Sequence, residues 1–250
     1  MSGRMTNEST LLEATAQRRW GSPPMYVQPN APWYLAQIPH RDVKNTRNKY
    51  TWLGTGKLFN DRSGHGTHTA ALIAGETYGV AKSALILDVK VAPNGLGYTS
   101  DILAGFNFAV YDMRRTIDIP DSVVLLPIDP GSGVLSQAID QAATSGTVTM
   151  IPTKARLPSQ KRLTSSNYGP KVSLFAPGDN ILSAWKSPGT IQVLSSTGPA
   201  AAQVAGLVCL LKELERMDAQ ATKWKLVSLA TKSVADARGA ALVLYNGSDK

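Results

Sequence analysis

Two groups of residues carry the chemistry that this chain can offer. One is the turn Gly64-His65-Gly66-Thr67-His68, which opens a helical pattern over 66–75. The other is the hydroxyl run Ser195-Ser196-Thr197, followed by Gly198 and Pro199 where a helical pattern near 198–216 begins. A histidine at a helix start faces the positive end of the backbone dipole, which favours the neutral imidazole and leaves His65 usable as a general base. General acid–base work by one such group is worth about 10²–10⁴-fold. The hydroxyls have a simpler use: Ser196 or Thr197 caps the helix, and Pro199 sits in its first turn, where a missing N–H costs nothing.

Metal and cofactor chemistry find no support in the residue spacing. There is no Cys/His zinc pattern, no EF-hand loop and no GxxxxGK[ST] phosphate loop, so no metal and no cofactor is expected. The segment Pro93-Asn-Gly-Leu-Gly97 reads as a turn between a strand and a helix. Cys209, the single cysteine, lies in the apolar run Gly206–Leu211 and is read as a small buried hydrophobe.

These groups must be positioned by a sheet and its helices. Strand-like runs at Leu85–Val91, Ser122–Leu126, Thr147–Ile151 and Val172–Phe175 alternate with helical patterns near 66–75, 99–115, 134–145, 198–216 and 219–231. That alternation predicts βαβ units around a parallel sheet. The pattern near 198–216 is the clearest, with Val204, Leu207, Val208, Leu211 and Leu214 at spacings of three and four. Residues 1–30 are polar and end in Gly-Ser-Pro-Pro and Gln-Pro-Asn, which predicts a flexible N-terminal arm ahead of one domain over 31–250.

Length and composition fit that domain. A chain of 250 residues, 43% of them hydrophobic, buries about three quarters of its unfolded surface and needs no staples. The first twenty residues hold no apolar stretch of signal-peptide length, and no run approaches a membrane span, so a cytoplasmic location without membrane contact is expected. The net charge of +8 gathers at Arg18-Arg19, at Arg41/Lys44/Arg47/Lys49 and at Lys154/Arg156/Lys161/Arg162. With no nucleic-acid motif beside them, these clusters read as solvated surface and nucleic acid is not favoured as a partner.

Four stretches in order resemble the proteinase-K branch of the subtilisin-like serine proteases. They are Ala31-Pro-Trp-Tyr-Leu-Ala-Gln-Ile38; Gly64-His-Gly-Thr-His-Thr-Ala70 with Tyr78-Gly-Val-Ala-Lys82 and Leu87-Asp-Val-Lys-Val91; Ser166-Asn-Tyr-Gly-Pro-Lys-Val-Ser-Leu-Phe-Ala-Pro-Gly178 running into Ile181-Leu-Ser-Ala-Trp185; and Ser195-Ser-Thr-Gly-Pro-Ala-Ala-Ala-Gln-Val-Ala-Gly-Leu207. The resemblance covers roughly residues 31–247. It implies a subtilisin-like three-layer α/β fold, truncated, with a mainly parallel central sheet flanked by helices.

The resemblance also implies a serine, histidine and aspartate acting together. Its base falls on His65, and His68 corresponds to a packing residue beside it. Its nucleophile falls on Gly198, which has no side chain with which to attack. Its aspartate is expected to be lost by deletion: Asp42 has no strand behind it, and Asp61 fits the residue commonly seen before the histidine motif, with a local hydrogen-bonding job. Pro152-Thr-Lys-Ala-Arg156 stands where the family's oxyanion asparagine is due, and no asparagine follows before Asn167. Leu126-Pro-Ile-Asp129 replaces the family's substrate-pairing Ser-Leu-Gly-Gly, so that Pro127 removes a backbone donor and Ile128 adds bulk.

Three functions follow from these readings. The first is a non-proteolytic member of the fold whose cleft, lined by Leu126, Pro127, Ile128, Thr197 and the helix start at Gly198, binds a small molecule, peptide or protein partner. The second is a non-hydrolytic isomerase or cyclase in which His65 moves a proton. The third is a residual peptidase with its nucleophile at Ser195, Ser196 or Thr197.

Overall fold

The computed structural model describes residues 50–53, 61–82, 84–92, 97–116, 122–128, 133–151, 154–156, 166, 174–232 and 242–244. The proposed arm at 1–30, the Ala31–Ile38 motif, Asp42, the turn at 93–96, Asp129 and Asn167 lie outside these residues, as do the basic clusters except the backbone of Lys154 and Arg156.

The described elements are β1 (Tyr50–Leu53), α1 (His65–Ala74), β2 (Leu87–Lys90), α2 (Thr99–Thr116), β3 (Val123–Leu125), α3 (Gly133–Thr144), β4 (Val148–Met150), β5 (Lys154–Arg156), β6 (Phe175–Pro177), β7 (Ile181–Ala184), β8 (Ile191–Leu194), α4 (Thr197–Glu215), α5 (Ala219–Leu229), β9 (Thr231–Lys232) and β10 (Leu242–Val243). The expected helices appear within two residues of their predicted ends. The strands are shorter than predicted.

Parallel ladders dominate, as the alternation of elements requires. β1 pairs with β2 from Tyr50↔Leu87 to Leu53↔Lys90, β3 with β4 from Val123↔Val148 to Leu125↔Met150, and β5 with β6 from Lys154↔Phe175 to Arg156↔Pro177. β10 adds to β6 in parallel and takes β9 antiparallel. β7 and β8 form an antiparallel hairpin.

Side-chain alternation along β3 sorts the core into two layers. Val124 and Leu126 face Phe106, Val110, Met113, Leu135 and Ala142 of α2 and α3. Val123 and Leu125 face the larger cluster built on α1 and α4. A sheet with helices on both faces results, the three-layer α/β arrangement expected.

α4 is the axis of the larger layer. Thirteen of its residues are buried, among them Ala200, Ala201, Ala202 and Ala205, whose small side chains allow α1 to approach. Gly206 is tightly covered: a Cβ there would stand 2.7 Å from Val80 Cβ, in the chain that follows α1, and 3.4 Å from Ile73 O of α1 itself. α1 ends without an orphaned last turn, because the chain hooks back and Val80 N–H donates to Leu72 O at 3.0 Å and Ala81 N–H to Ile73 O at 2.7 Å. Cys209 lies on the half-buried side of α4, with its thiol enclosed enough that burial pushes it up to about 12.

Candidate functional site

The turn before α1 is held by one carboxylate. Gly64, the helix N-cap, has φ of 83°, in the left-handed region where glycine is strain-free, and no side chain with which to cap. Asp61 does that work from three residues upstream. Its Oδ1 accepts from Gly64 N–H at 2.8 Å and from the Ser63 N–H and hydroxyl, both at 3.1 Å. Its Oδ2 accepts from Thr67 N–H at 2.8 Å and from the Thr67 hydroxyl at 2.9 Å. Burial alone would raise this carboxyl, but the donors from Thr67, Gly64 and Ser63 outweigh it and hold Asp61 below its ordinary 3.8. The local hydrogen-bonding role expected for Asp61 is therefore what the structure contains.

Gly64 is also required by packing. A Cβ on it would overlap the indole of Trp185, which follows β7. The same indole meets His68 edge-on, with ring centroids 6.3 Å apart. His68 is fully buried, as a packing residue should be, with Nε2 3.1 Å from Ile181 O. The Ser183 hydroxyl donates to His68 O at 2.9 Å, so α1 and β7 are joined by side chains in both directions.

His65 is half-buried at the first position of α1. Desolvation lowers its proton affinity below the usual 6.5, while the charge of Asp61 acts the other way. The neutral imidazole expected from the sequence is favoured, with burial as its first cause.

α4 brings Gly198 to this imidazole. Ser196 is the N-cap, in extended conformation, and its hydroxyl accepts a long bond of 3.4 Å from Gly198 N–H. Thr197 is the first helical residue, half-buried. An ideally placed Cβ on Gly198 would stand 2.8 Å from His65 Nε2, 3.3 Å from Cε1 and 3.9 Å from Pro127 O. The fold thus unites His65, Gly198 and Pro127, residues far apart in sequence, and at their meeting point there is no nucleophilic atom on Gly198.

The two serine hydroxyls just before α4 are otherwise engaged, Ser196 in the helix cap. Ser195 donates to Asp179 Oδ1 at 2.7 Å and accepts from Asn180 N–H at 2.9 Å. Gln203 is buried and donates to Pro177 O at 2.8 Å and Pro199 O at 3.2 Å, tying α4 to the end of β6.

Three expectations need correction. The cleft was expected to be lined by Leu126 and Ile128, but both pack against the α2 and α3 layer, because strand alternation puts them on the face with Val124. Of these three residues Pro127 reaches the site, through its carbonyl oxygen. The aspartate-bearing strand was expected to be deleted, yet β1 is present and lies in parallel beside β2. In sequence β1 is followed by Gly54-Thr55-Gly56, which holds no aspartate. The signal was the β-prone Tyr50-Thr-Trp-Leu53 before two glycines, obscured by the charged run preceding it. Third, Lys154–Arg156 was read as replacing the oxyanion segment, whereas it forms β5. Only residues 151–153 connect it to β4, and none of them is an asparagine.

Known proteins place this architecture. Residues 26–152 match the Subtilase family of peptidases. Alkaline protease 1 of Aspergillus flavus is 32% identical over 277 residues, covering 88% of this chain and 69% of that protein. Subtilisin-like protease 1 of Trichophyton rubrum is 36% identical over 200 residues, covering 71% of this chain and 40% of that protein. The crystal structure of a cold adapted subtilisin-like serine proteinase superposes with a TM-score of 0.73 at 27% identity, covering 88% of this chain and 100% of that one. Motif order, sheet topology and these similarities agree: the chain belongs to the subtilase family.

Proposed function

We propose that this subtilase-family chain does not cut peptide bonds by the serine mechanism and that the cleft around His65 binds a small molecule, a peptide or a protein partner. The observation that carries this reading is the glycine at residue 198 beside His65 Nε2. Acyl-enzyme chemistry needs an oxygen or sulfur there, activated by the histidine. Gly54 and the short β4–β5 connection support the same reading, since the orienting acid and the family's oxyanion asparagine have no counterparts at those positions in the sequence. The relatives are named as proteases, and that description belongs to them.

A second reading keeps His65 as an acid/base group in a non-hydrolytic isomerase or cyclase, and the depressed proton affinity of its half-buried imidazole favours it. A migrated nucleophile at Ser195 or Ser196 is disfavoured by the commitment of Ser195 to Asp179 and of Ser196 to the helix cap.

The test combines two measurements on the full chain. Fluorophosphonate labelling and casein hydrolysis should both be negative, while native mass spectrometry of protein isolated from its own cell should show a co-purifying ligand or partner. Casein cleavage that an active-site inhibitor stops would overturn the proposal. Product formation from a co-purifying metabolite, lost in His65→Ala, would select the second reading over binding alone.

A further inference from the structure

We propose that His68 is an acid-sensitive latch: its neutral imidazole seats the β7–β8 hairpin on α1, and a second proton on the ring releases the hairpin while the rest of the domain stays folded. The inference stands on the contacts of His68 alone and does not depend on what the cleft around His65 binds.

The hairpin is a unit of its own. β7 and β8 pair with each other and with no other described strand, and a two-stranded hairpin is at best marginally stable alone. β8 is exposed from Ile191 to Val193, so the hairpin is held through β7 and its two ends. At its base Ser196 N–H donates to Gly178 O at 2.8 Å, and Asn180 N–H donates to the Ser195 hydroxyl at 2.9 Å. At its tip Lys186 Nζ donates to Arg62 O at 3.1 Å. Between these ends His68 holds β7. Its Nε2 lies 3.1 Å from Ile181 O, its backbone carbonyl accepts from the Ser183 hydroxyl at 2.9 Å, and its ring meets the Trp185 indole edge-on.

These partners fix the protonation state of the ring. A carbonyl oxygen only accepts, so Nε2 carries the hydrogen and Nδ1 keeps a bare lone pair. The side chain is fully buried, and Nδ1 has no hydrogen-bond partner among the described residues. A second proton therefore creates a buried N–H without an acceptor on a ring that has become charged, and buried charge is tolerated only where it is paired. On the same segment, His65 opposes a further charge by like repulsion, and Asp61 is engaged with Ser63, Gly64 and Thr67. β7 and β8 carry no charged side chain, and neither does α4 over residues 197–211, where Cys209 is pushed up to about 12. Farther along α4, Lys212 donates to Met217 O at 3.0 Å. The Ile181 carbonyl and the Gln192 backbone favour the charged ring, and burial outweighs them. Release leaves the bonds at the base intact, since no imidazole takes part in them, and swings Trp185 away from Gly64.

The experiment is fluorine NMR of the full chain carrying fluorotryptophan, with the Trp185 signal assigned by Trp185→Phe and far-ultraviolet circular dichroism recorded alongside. The seat is complete above the ordinary imidazole value of 6.5 and is lost as the pH falls below it through the value of the seated ring. Within that window each unit of pH multiplies the ratio of released to seated hairpin by up to about tenfold. The Trp185 signal should move towards its solvent-exposed position while the circular dichroism holds. His68→Gln, whose amide donates to a carbonyl but takes up no proton, should abolish the movement, and His65→Gln should keep it. Should His68→Gln fail to fold, the unaltered chain decides. A Trp185 signal that stays fixed until the circular dichroism is lost overturns the latch, because no local release then precedes unfolding. So does an acid-induced movement that persists in His68→Gln or disappears in His65→Gln.

Discussion

His65 Nε2 lies 2.8 Å from the point where Gly198 would carry a Cβ. That is closer than real Cβ atoms approach a ring nitrogen, so the imidazole occupies space that a side chain at 198 would need. The imidazole of His65 and the backbone of Gly198 are packed against each other.

A hydroxyl placed at residue 198 should therefore not by itself give serine-protease activity. Gly198→Ser must push the imidazole aside, and overpacking of this kind costs about 1–3 kcal/mol; the low end is expected because His65 is half-buried and can rotate. The variant should unfold at slightly lower urea concentration and remain unlabelled by fluorophosphonate. Adding Gly54→Asp should still leave labelling weak, since one missing oxyanion donor by itself costs about 2.7–4 kcal/mol. Labelling of the double variant at the rate of an active serine protease would refute this account.

Gly64 is fixed twice, by φ of 83° and by the indole of Trp185. Gly64→Ala should destabilise the chain by at least about 2 kcal/mol, combining a left-handed alanine with an overlap in a packed contact. Urea unfolding monitored by circular dichroism measures this, and the near-ultraviolet signal of Trp185 should change with it. A variant as stable as the parent would show that the Gly64 and Trp185 contact is misassigned.

The two serines before α4 should separate by role. Ser196→Ala removes the N-cap and should cost about 0.5–1 kcal/mol, at the lower end of the capping range because its bond to Gly198 N–H is 3.4 Å long. Ser195→Ala should loosen the Asp179–Asn180 turn and leave any ligand binding at His65 within twofold, a change below about 0.4 kcal/mol. Abolition of a measured peptidase activity by either change would revive the migrated-nucleophile reading.

Acid should weaken the fold through its histidines. Burial is the first cause holding both His65 and His68 below the ordinary value of 6.5. Between the folded and unfolded values the unfolded chain binds more protons, so stability rises with pH across that window. The contribution is fully present above 6.5 and is lost as the pH falls below it through the folded values. Urea midpoints measured on both sides of the imidazole range should fall with acidification, and His68→Gln should flatten the slope. A midpoint independent of pH there would contradict the burial of these rings.

Much of this was readable along the chain. The five described helices were placed from sequence within two residues of their ends, and the clearest was the one near 198–216, because Val204, Leu207, Val208, Leu211 and Leu214 recur at spacings of three and four, a local pattern that survives whatever it packs against. The motif Gly64–His68 and the run Ser195–Gly198 gave the family, since identity at a named position needs no coordinates. Three features depended on packing. The strand Tyr50–Leu53 is too short to declare itself and becomes a strand by pairing with Leu87–Lys90. The direction of Leu126 and Ile128 follows from the pleat of β3, which residue type alone does not reveal. The closure of His65 onto Gly198 joins groups more than a hundred residues apart, and only the docking of α1 on α4 sets that distance. Sequence thus determined which atoms are available, and tertiary structure decided which of them meet, because side-chain chemistry is a property of each residue whereas proximity is a property of the folded whole.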